Sequence, residues 1–215
     1  MAAVSQTTAH RNHNQQHAER NAAGVAGGGI TNSNAVVTGN SSVTIMNSTI
    51  SGNGAIFGGG IDNEHFVDDG QQQVKLTSTI VANSTVGPDV RGVITSQGYN
   101  IMGDTRGAII TPTTGDQIGV SAAQLKLGPL QDNGGATPTM APQCGSVAID
   151  KGIANSLSTD QRGAGFARTV DDPTIADAAD GTDVGAFELQ PTCGSPTPTP
   201  TPTPRHRTRT MSRRP

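Results

Sequence analysis

The six residues Gly27-Gly28-Gly29-Ile30-Thr31-Asn32 are repeated 31 positions later as Gly58-Gly59-Gly60-Ile61-Asp62-Asn63. At the same spacing, Val43-Thr44-Ile45 is followed by Val74-Lys75-Leu76. A fixed period of this length is typical of solenoids and other repeat architectures. Apolar and polar residues alternate within each copy, and this pattern indicates short β-strands. The repeat therefore predicts parallel strands that stack one period above another.

A third run favours the same stacking. Residues 47–53, Asn-Ser-Thr-Ile-Ser-Gly-Asn, resemble residues 77–83, which lie 30 positions later. Stacked copies place aliphatic columns in the interior and asparagines at the turns, where Asn tolerates a left-handed backbone and its amide bonds along the stack. The fold predicted from these columns is all-β, a parallel β-helix. The predicted pairs are Val43 with Val74, Ile45 with Leu76, Ile50 with Ile80, Asn32 with Asn63, and Asn53 with Asn83.

The composition suits a solenoid better than a single central core. Of the 215 residues, 28 are Gly, 33% are hydrophobic and only 2% are aromatic, which is below the globular norm for apolar content. Each repeat of a solenoid buries only a few aliphatic residues against its neighbours. No apolar stretch is long enough to span a membrane, so no membrane span is expected in this chain.

Charge and cysteine content narrow the function classes further. Residues 21–190 carry 16 acidic and 7 basic side chains, so this body is not expected to bind nucleic acid. The final segment carries five Arg, which we interpret as a solvated tail. Two cysteines are too few for a disulfide framework, and the sequence leaves open whether Cys144 and Cys193 pair.

The chain divides into four segments. Residues 1–20 are polar and without a period, which predicts disorder, and they have no apolar core of the kind that signal peptides require. Residues 21–119 hold the coils. Residues 120–190 lose the repeat and are rich in loops, and we expect them to cap the open end of the solenoid. Residues 191–215 contain a Pro-Thr spacer and a basic end, and they are predicted to be disordered.

The repeats resemble those of bacterial secreted right-handed β-helix proteins of the pectin-lyase-like type, with weaker similarity to polymorphic outer-membrane proteins. The later part resembles the choice-of-anchor Q domain. The matching runs are Gly27–Asn32 and its copy, residues 47–53, 78–83, 87–90, 96–100, 127–135, 148–150, 159–163 and 183–188.

This resemblance implies a bacterial protein that is secreted or anchored at the cell surface, with a variable anchor after the domain. It supplies no catalytic residues. Ala136 and Met140 stand where the family pattern usually has Pro and His, and Gln143-Cys144 falls in a normally apolar loop. These departures loosen the match of that loop and leave the fold expectation in place.

The two ends suggest a fragment of a longer β-helix whose signal peptide was lost with the N-terminal part. Only two coils read as complete, whereas three or more are generally needed for stability. Residues 14–20 can be encoded so that a one-base shift reads Thr-Asn-Ser-Thr-Leu-Ser-Gly, which with Asn21 is another copy of residues 47–53. Residues 205–207 are likewise a shifted reading of a Pro-Thr-Pro run. Codon freedom also allows coincidence, and the nucleotide sequence decides between the two.

Acidic residues supply the candidate cofactor site. Asp171, Asp172, Asp177, Asp180 and Asp183 lie close together in sequence, and calcium takes several oxygen ligands from such loops. The spacing matches no defined calcium motif, so we expect solvated turn residues here. The calcium candidates are Asp177, Asp180 and Asp183, and no other metal or cofactor is expected.

The leading hypothesis is a non-enzymatic secreted or cell-surface module with a structural or adhesive role, for which a surface glycan or another cell-surface component is the expected partner. No catalytic residue is predicted. The alternative is a polysaccharide-active lyase or hydrolase whose site lies in missing coils, because such enzymes need carboxylates stacked on the outer face. The outward positions Thr44 with Lys75, and Met46 with Thr77, offer none.

Overall fold

The structure is a computed structural model. It describes residues 21–32, 41–63, 72–190 and 193, together with the backbone of residues 10–14 and 17–19. Apart from Cys193, the predicted spacer and basic tail at 191–215 lie outside the described residues.

Short strands dominate the described part of the chain, and its one α-helix, α1, covers Ala122–Leu125. The strands are β1 (His10–Asn14), β2 (His17–Glu19), β3 (Ile30–Thr31), β4 (Ser41–Met46), β5 (Thr49–Ser51), β6 (Ile61–Asn63), β7 (Gln72–Thr77), β8 (Ile80–Ala82), β9 (Val90–Ser96), β10 (Ile101–Met102), β11 (Ala108–Ile110) and β12 (Gln117–Ile118).

The strands form two sheets in which every pairing between named strands is parallel. Among the described residues, the first sheet runs β1-β4-β7-β9-β6-β3, with β11 also paired to β9, and the second runs β12-β10-β8-β5-β2. The chain passes from one sheet to the other within each repeat, so neighbours in a sheet come from successive repeats. The expected all-β fold of parallel strands is confirmed.

Two of the predicted columns are present in the first sheet. Val43 pairs with Val74, and Ile45 pairs with Leu76. All four side chains are buried in one core cluster, which continues through the later strands. The intervening residues point to the opposite face, because side chains alternate along a strand. The period of 31 residues therefore sets both the pairing register and the choice of interior residues.

The column predicted through Ile50 and Ile80 is wrong by one position. Ile50 pairs with Val81, and it is Thr49 that pairs with Ile80. Left-handed backbone occurs at Asn47 and Ser78, and again at Gly52 and Asn83, so the spacing is 31 here as well. The predicted pair of Asn53 with Asn83 is wrong by the same one position. Asn83 occupies the turn position that Gly52 occupies one repeat earlier. The sequence favours a spacing of 30 because Ile80 matches Ile50, and Asn83 matches Asn53, in residue type.

An asparagine pair does stack at another turn. The Asn32 side-chain amide donates to Asn63 Oδ1 at 2.8 Å, and the Asn63 amide donates to the Val93 carbonyl at 2.5 Å. Asn53 Oδ1 accepts from the backbone and side chain of Asn21 at 3.0 and 3.2 Å. Buried amides thus find their partners one repeat away, and the predicted pair of Asn32 with Asn63 is confirmed.

The triple-glycine motif has two separate roles. Gly27 and Gly58 have φ values of +60° and +59°, in the left-handed region where a side chain adds strain. The third glycine of the second copy, Gly60, lies in ordinary backbone but approaches the next repeat closely, since a Cβ there would lie 2.6 Å from the Asp89 carbonyl oxygen. The motif therefore combines a turn with a tight approach of successive repeats.

Two parts of the N-terminal segment differ from the expected disorder, because they form β1 and β2. β1 pairs with β4, and β2 pairs with β5 in the register His17 with Thr49 and Glu19 with Ser51. This offset of 32 is the one at which the shifted reading of residues 15–20, followed by Asn21, copies residues 47–53. Backbone bonds need no particular side chains, which allows a sequence without the repeat pattern to extend both sheets.

Residues 120–190 pack beside the second sheet, whereas the sequence led us to expect a lid on the open end. Ile80 and Ile101 turn away from the interior column of Ile50, Val81 and Met102, and they form a second apolar cluster with Leu125, Ala148 and Val184. Burying these apolar side chains removes their surface from water, which favours docking of the segment on this face of the sheet.

Polar contacts fix this docking, and a disulfide joins the segment to Cys193, which follows it. The Ala186 N–H donates to Thr49 Oγ1 at 3.1 Å, and the Ile153 N–H donates to Ser78 Oγ at 3.1 Å. Cys144 and Cys193 form a disulfide with a Cα–Cα distance of 5.5 Å, which answers the question that the sequence left open. Within the part of the chain that is described, no helix is long and apolar enough to span a membrane.

Candidate functional site

Three aspartates converge at one edge of the segment 120–190. Asp150, Asp171 and Asp177 each offer a carboxylate oxygen, and these three oxygens all lie within 4.8 Å of one another. Asp150 lies at the end of a turn, where its N–H donates to Asp183 Oδ1 and its carbonyl accepts from the Ala178 N–H. The last contact holds the loop that carries Asp171 and Asp177 against Asp150.

The three members of this aspartate cluster differ in burial. Asp150 is 0% exposed, and neither of its carboxylate oxygens accepts a well-aligned hydrogen bond, whereas Asp171 and Asp177 are exposed. Burial and the negative charges of Asp183, Asp177 and Asp171 raise the pKa of Asp150 to about 6, against an opposing effect of the Asp172 N–H. A buried carboxylate with no donor to satisfy it is rare in folded proteins.

The calcium candidates from the sequence are only partly brought together. Asp177 belongs to the aspartate cluster. Asp180 accepts a hydrogen bond from the Ala154 N–H at 3.0 Å, and Asp183 accepts from the N–H groups of Asp150 and Leu189 at 3.0 and 2.8 Å. Those two side chains tie backbone segments together.

Sequence reasoning missed Asp150, because it lies 21 residues before the acidic loop and follows an apolar pair within a matched run, Ala148-Ile149-Asp150. The position of Asp150 in the sequence could have indicated it. Asp150 directly follows Ala148 and Ile149, which are buried, and a carboxylate at such a position is also expected to be buried.

A second group of charges is internal and holds the segment 120–190 together. The Arg162 guanidinium donates to both Asp160 carboxylate oxygens at 2.7–3.2 Å and lies between the rings of Phe166 and Phe187, 3.9 and 3.7 Å from their centroids. Arg168 Nη2 donates to the carbonyls of Asp183 and Gly185, both at 2.8 Å. These contacts give Asp160, Arg162 and Arg168 an internal role in holding the segment together.

The outer face of the first sheet carries one charged pair. Asp62 and Arg91 are register partners on β6 and β9, with 3.8 Å between Arg91 Nη1 and Asp62 Oδ1. The guanidinium of Arg91 also stacks on the Phe57 ring at 4.1 Å. The partner on the other side of Asp62 is Thr31, so this column contains a single carboxylate among the described residues.

Asp62 provides a test of charge burial on this face. Burial raises the pKa of Asp62 to about 6, and the Arg91 charge lowers it by less. Since the folded pKa exceeds the ordinary value of 3.8, the stability that this group contributes is full below pH 3.8 and is lost as the pH rises through about 6.

We expect Asp62→Asn to raise Tm relative to wild type at pH 7.5 and to have less effect near pH 4. Thermal melts across this range check it, and a Tm difference that shrinks with rising pH would contradict it.

No family model, curated protein or solved structure matches the chain.

Proposed function

We propose that the chain is a right-handed parallel β-helix with a laterally docked, loop-rich domain of the choice-of-anchor Q kind, and that it serves as a non-enzymatic module of a secreted or cell-surface bacterial protein. The observation that carries this proposal is the register of two parallel sheets, in which successive repeats supply neighbouring strands at a spacing of 31 residues. Such stacking builds long, rigid surfaces that suit structural and adhesive roles.

The disulfide supports an extracellular location. Bonds of this type form and persist in oxidising compartments and are rare in the cytosol. Cys144 and Cys193 are the two cysteines of the chain, and both are used. The bridge joins Cys144, in the segment 120–190, to Cys193, which precedes the Pro-Thr spacer. A cross-link of this kind stabilises the folded domain by restricting the unfolded chain.

The outer faces favour recognition over catalysis. The column on β4, β7 and β9 consists of Thr44, Lys75 and Thr95, whose hydroxyl and ammonium groups can bond to sugar hydroxyls. Hydrolysis of a glycoside needs two carboxylates flanking the bond, and neither described outer column supplies such a pair. A surface glycan is accordingly the partner that we propose.

A polysaccharide-active enzyme is the second candidate. One observation favours it, since Asp62, with its raised pKa, lies beside Arg91 on the outer face of stacked strands. Perturbed carboxylates next to a specific charge partner are enriched at active sites.

Binding and turnover assays on the purified chain separate the two candidates. We expect retention on glycan arrays or bacterial surfaces, and neither reducing ends nor unsaturated uronates from acidic polysaccharides. Turnover that is lost in Asp62→Asn and kept in Asp116→Asn would replace the proposal with the enzyme. Absence of any bound glycan or cell-surface component would overturn the adhesive role and leave the structural one.

A further inference from the structure

We propose that Asp150, Asp171 and Asp177 form a calcium site that fastens the loop 171–181 to the rest of the segment 120–190. The three carboxylates present one oxygen each within 4.8 Å of one another, a separation that a single cation can bridge when its ligand distances are about 2.3–2.6 Å.

The buried member is the independent observation that points to a ligand. Asp150 is fully buried, its carboxylate faces the oxygens of Asp171 and Asp177, and neither of its oxygens accepts a well-aligned hydrogen bond, although the Asp172 N–H favours its charged form. Buried charges in proteins are paired or coordinate metals. Asp180 and Asp183, in contrast, already accept backbone hydrogen bonds.

In the described structure, the positively charged side chains near the aspartate cluster contact other partners. Lys151, the residue after Asp150, donates its ammonium to the Ala176 carbonyl. Arg168 donates to two carbonyls and approaches Glu188 at 3.8 Å. The ion pairs of the described residues join other partners, namely Arg91–Asp62, Arg106–Asp104, Arg162–Asp160 and Arg168–Glu188. Within the described part of the chain, none of these ion pairs includes a carboxylate of the aspartate cluster.

The ligand set selects the metal. All three donors are carboxylate oxygens, which suit hard cations, and no His or Cys belongs to the cluster, as zinc or copper sites would require. Two ligands come from an exposed loop and one from a buried turn, so the site can adjust its ligand distances. Calcium accepts such variable geometry, whereas magnesium requires a near-ideal octahedron. Water completes the coordination on the exposed side.

The site has a mechanical consequence for the fold. Backbone contacts to the loop include the Ala178 N–H to the Asp150 carbonyl, and the hydroxyl pair of Thr169 and Thr182 closes its base at 2.9 Å. A cation shared by Asp150, Asp171 and Asp177 adds a link from the exposed loop to a buried turn. Ligands that bind only the folded state stabilise it by mass action, and extracellular calcium sites bind at about 0.1–1 mM.

The test is a thermal melt of the full chain after removal of divalent ions with a chelator. Calcium at about 10 mM should raise Tm by about 3–10 °C, as expected for binding at about 0.1–1 mM in a chain of this size. Isothermal titration with calcium should give a dissociation constant in the same range. Magnesium should give a clearly smaller rise in Tm.

Two exposed substitutions in one loop provide the matched comparison. Asp177→Asn should abolish the calcium-induced rise in Tm, and Asp180→Asn should retain it, although both remove one negative charge. Asp171→Asn should behave like Asp177→Asn. Equal rises in Asp177→Asn and wild type, loss of the rise in Asp180→Asn alone, an equal response to magnesium, or no response to calcium would each overturn the proposal.

Discussion

Replacing Arg162 with methionine is expected to lower the free energy of unfolding by about 3–5 kcal/mol. The Arg162 and Asp160 side chains are 4% and 0% exposed, and their closest nitrogen–oxygen distance is 2.7 Å. Removing the guanidinium leaves the Asp160 charge buried with only the backbone N–H groups of Arg162 and Glu188 as donors. The methionine would also lose the stacking of the guanidinium on Phe166 and Phe187 and its bond to the Glu188 carbonyl at 2.6 Å.

A second arginine supplies the control. Arg106 makes the same kind of pair with Asp104 at 2.6 Å, yet its side chain is 84% exposed. Water screens exposed ion pairs, so they contribute little net stability, and Arg106→Met should change stability far less than Arg162→Met does. Denaturant unfolding followed by circular dichroism measures both. Similar small costs for the two variants would show that Asp160 is not held in a dry site. Adding Asp160→Asn to Arg162→Met should recover part of the loss, because it removes the stranded charge.

The repeats of this chain could be predicted from the sequence because interior positions follow one spacing. Val43 and Val74, or Ile45 and Leu76, are apolar residues at identical places in successive strands. The sequence misplaces the column through Ile50 because Ile80 resembles Ile50, 30 positions before it, more closely than it resembles Thr49, its actual partner 31 positions before it. Only the docked segment explains an outward isoleucine, since Ile80 and Ile101 pack against Leu125 and Val184.

The candidate metal site could be predicted only in part, for a related reason. A cluster of acids in one loop is visible in the sequence, but the sequence does not show which acids have backbone partners. Asp180 and Asp183 are satisfied by N–H groups, and Asp150 enters from a distant turn. Long-range docking of irregular loops has no periodicity to reveal it, whereas strand stacking does.

Gly60→Ala should cost about 3 kcal/mol, the upper part of the range for overpacking in a well-packed region. A Cβ at this position would lie 2.6 Å from the Asp89 carbonyl oxygen and 2.7 Å from Val81 Cγ1. Real Cβ contacts are essentially never shorter than 3.0 Å. The obstructing oxygen belongs to the backbone, and it also accepts the Gly60 N–H at 3.0 Å, so it cannot move away without weakening the link between successive repeats.

Gly24→Ala is the matched substitution in the same part of the chain. A Cβ there has no neighbouring atom within 4 Å, and Gly24 is not among the residues with positive φ. Alanine should therefore be neutral or stabilise the protein by about 0.5 kcal/mol, because it reduces the conformational freedom of the unfolded chain. Both variants can be compared by urea unfolding under identical conditions. If Gly60→Ala is as well tolerated as Gly24→Ala, then the repeats do not approach one another as closely as the stacking requires, and the parallel β-helix that we propose loses its main support.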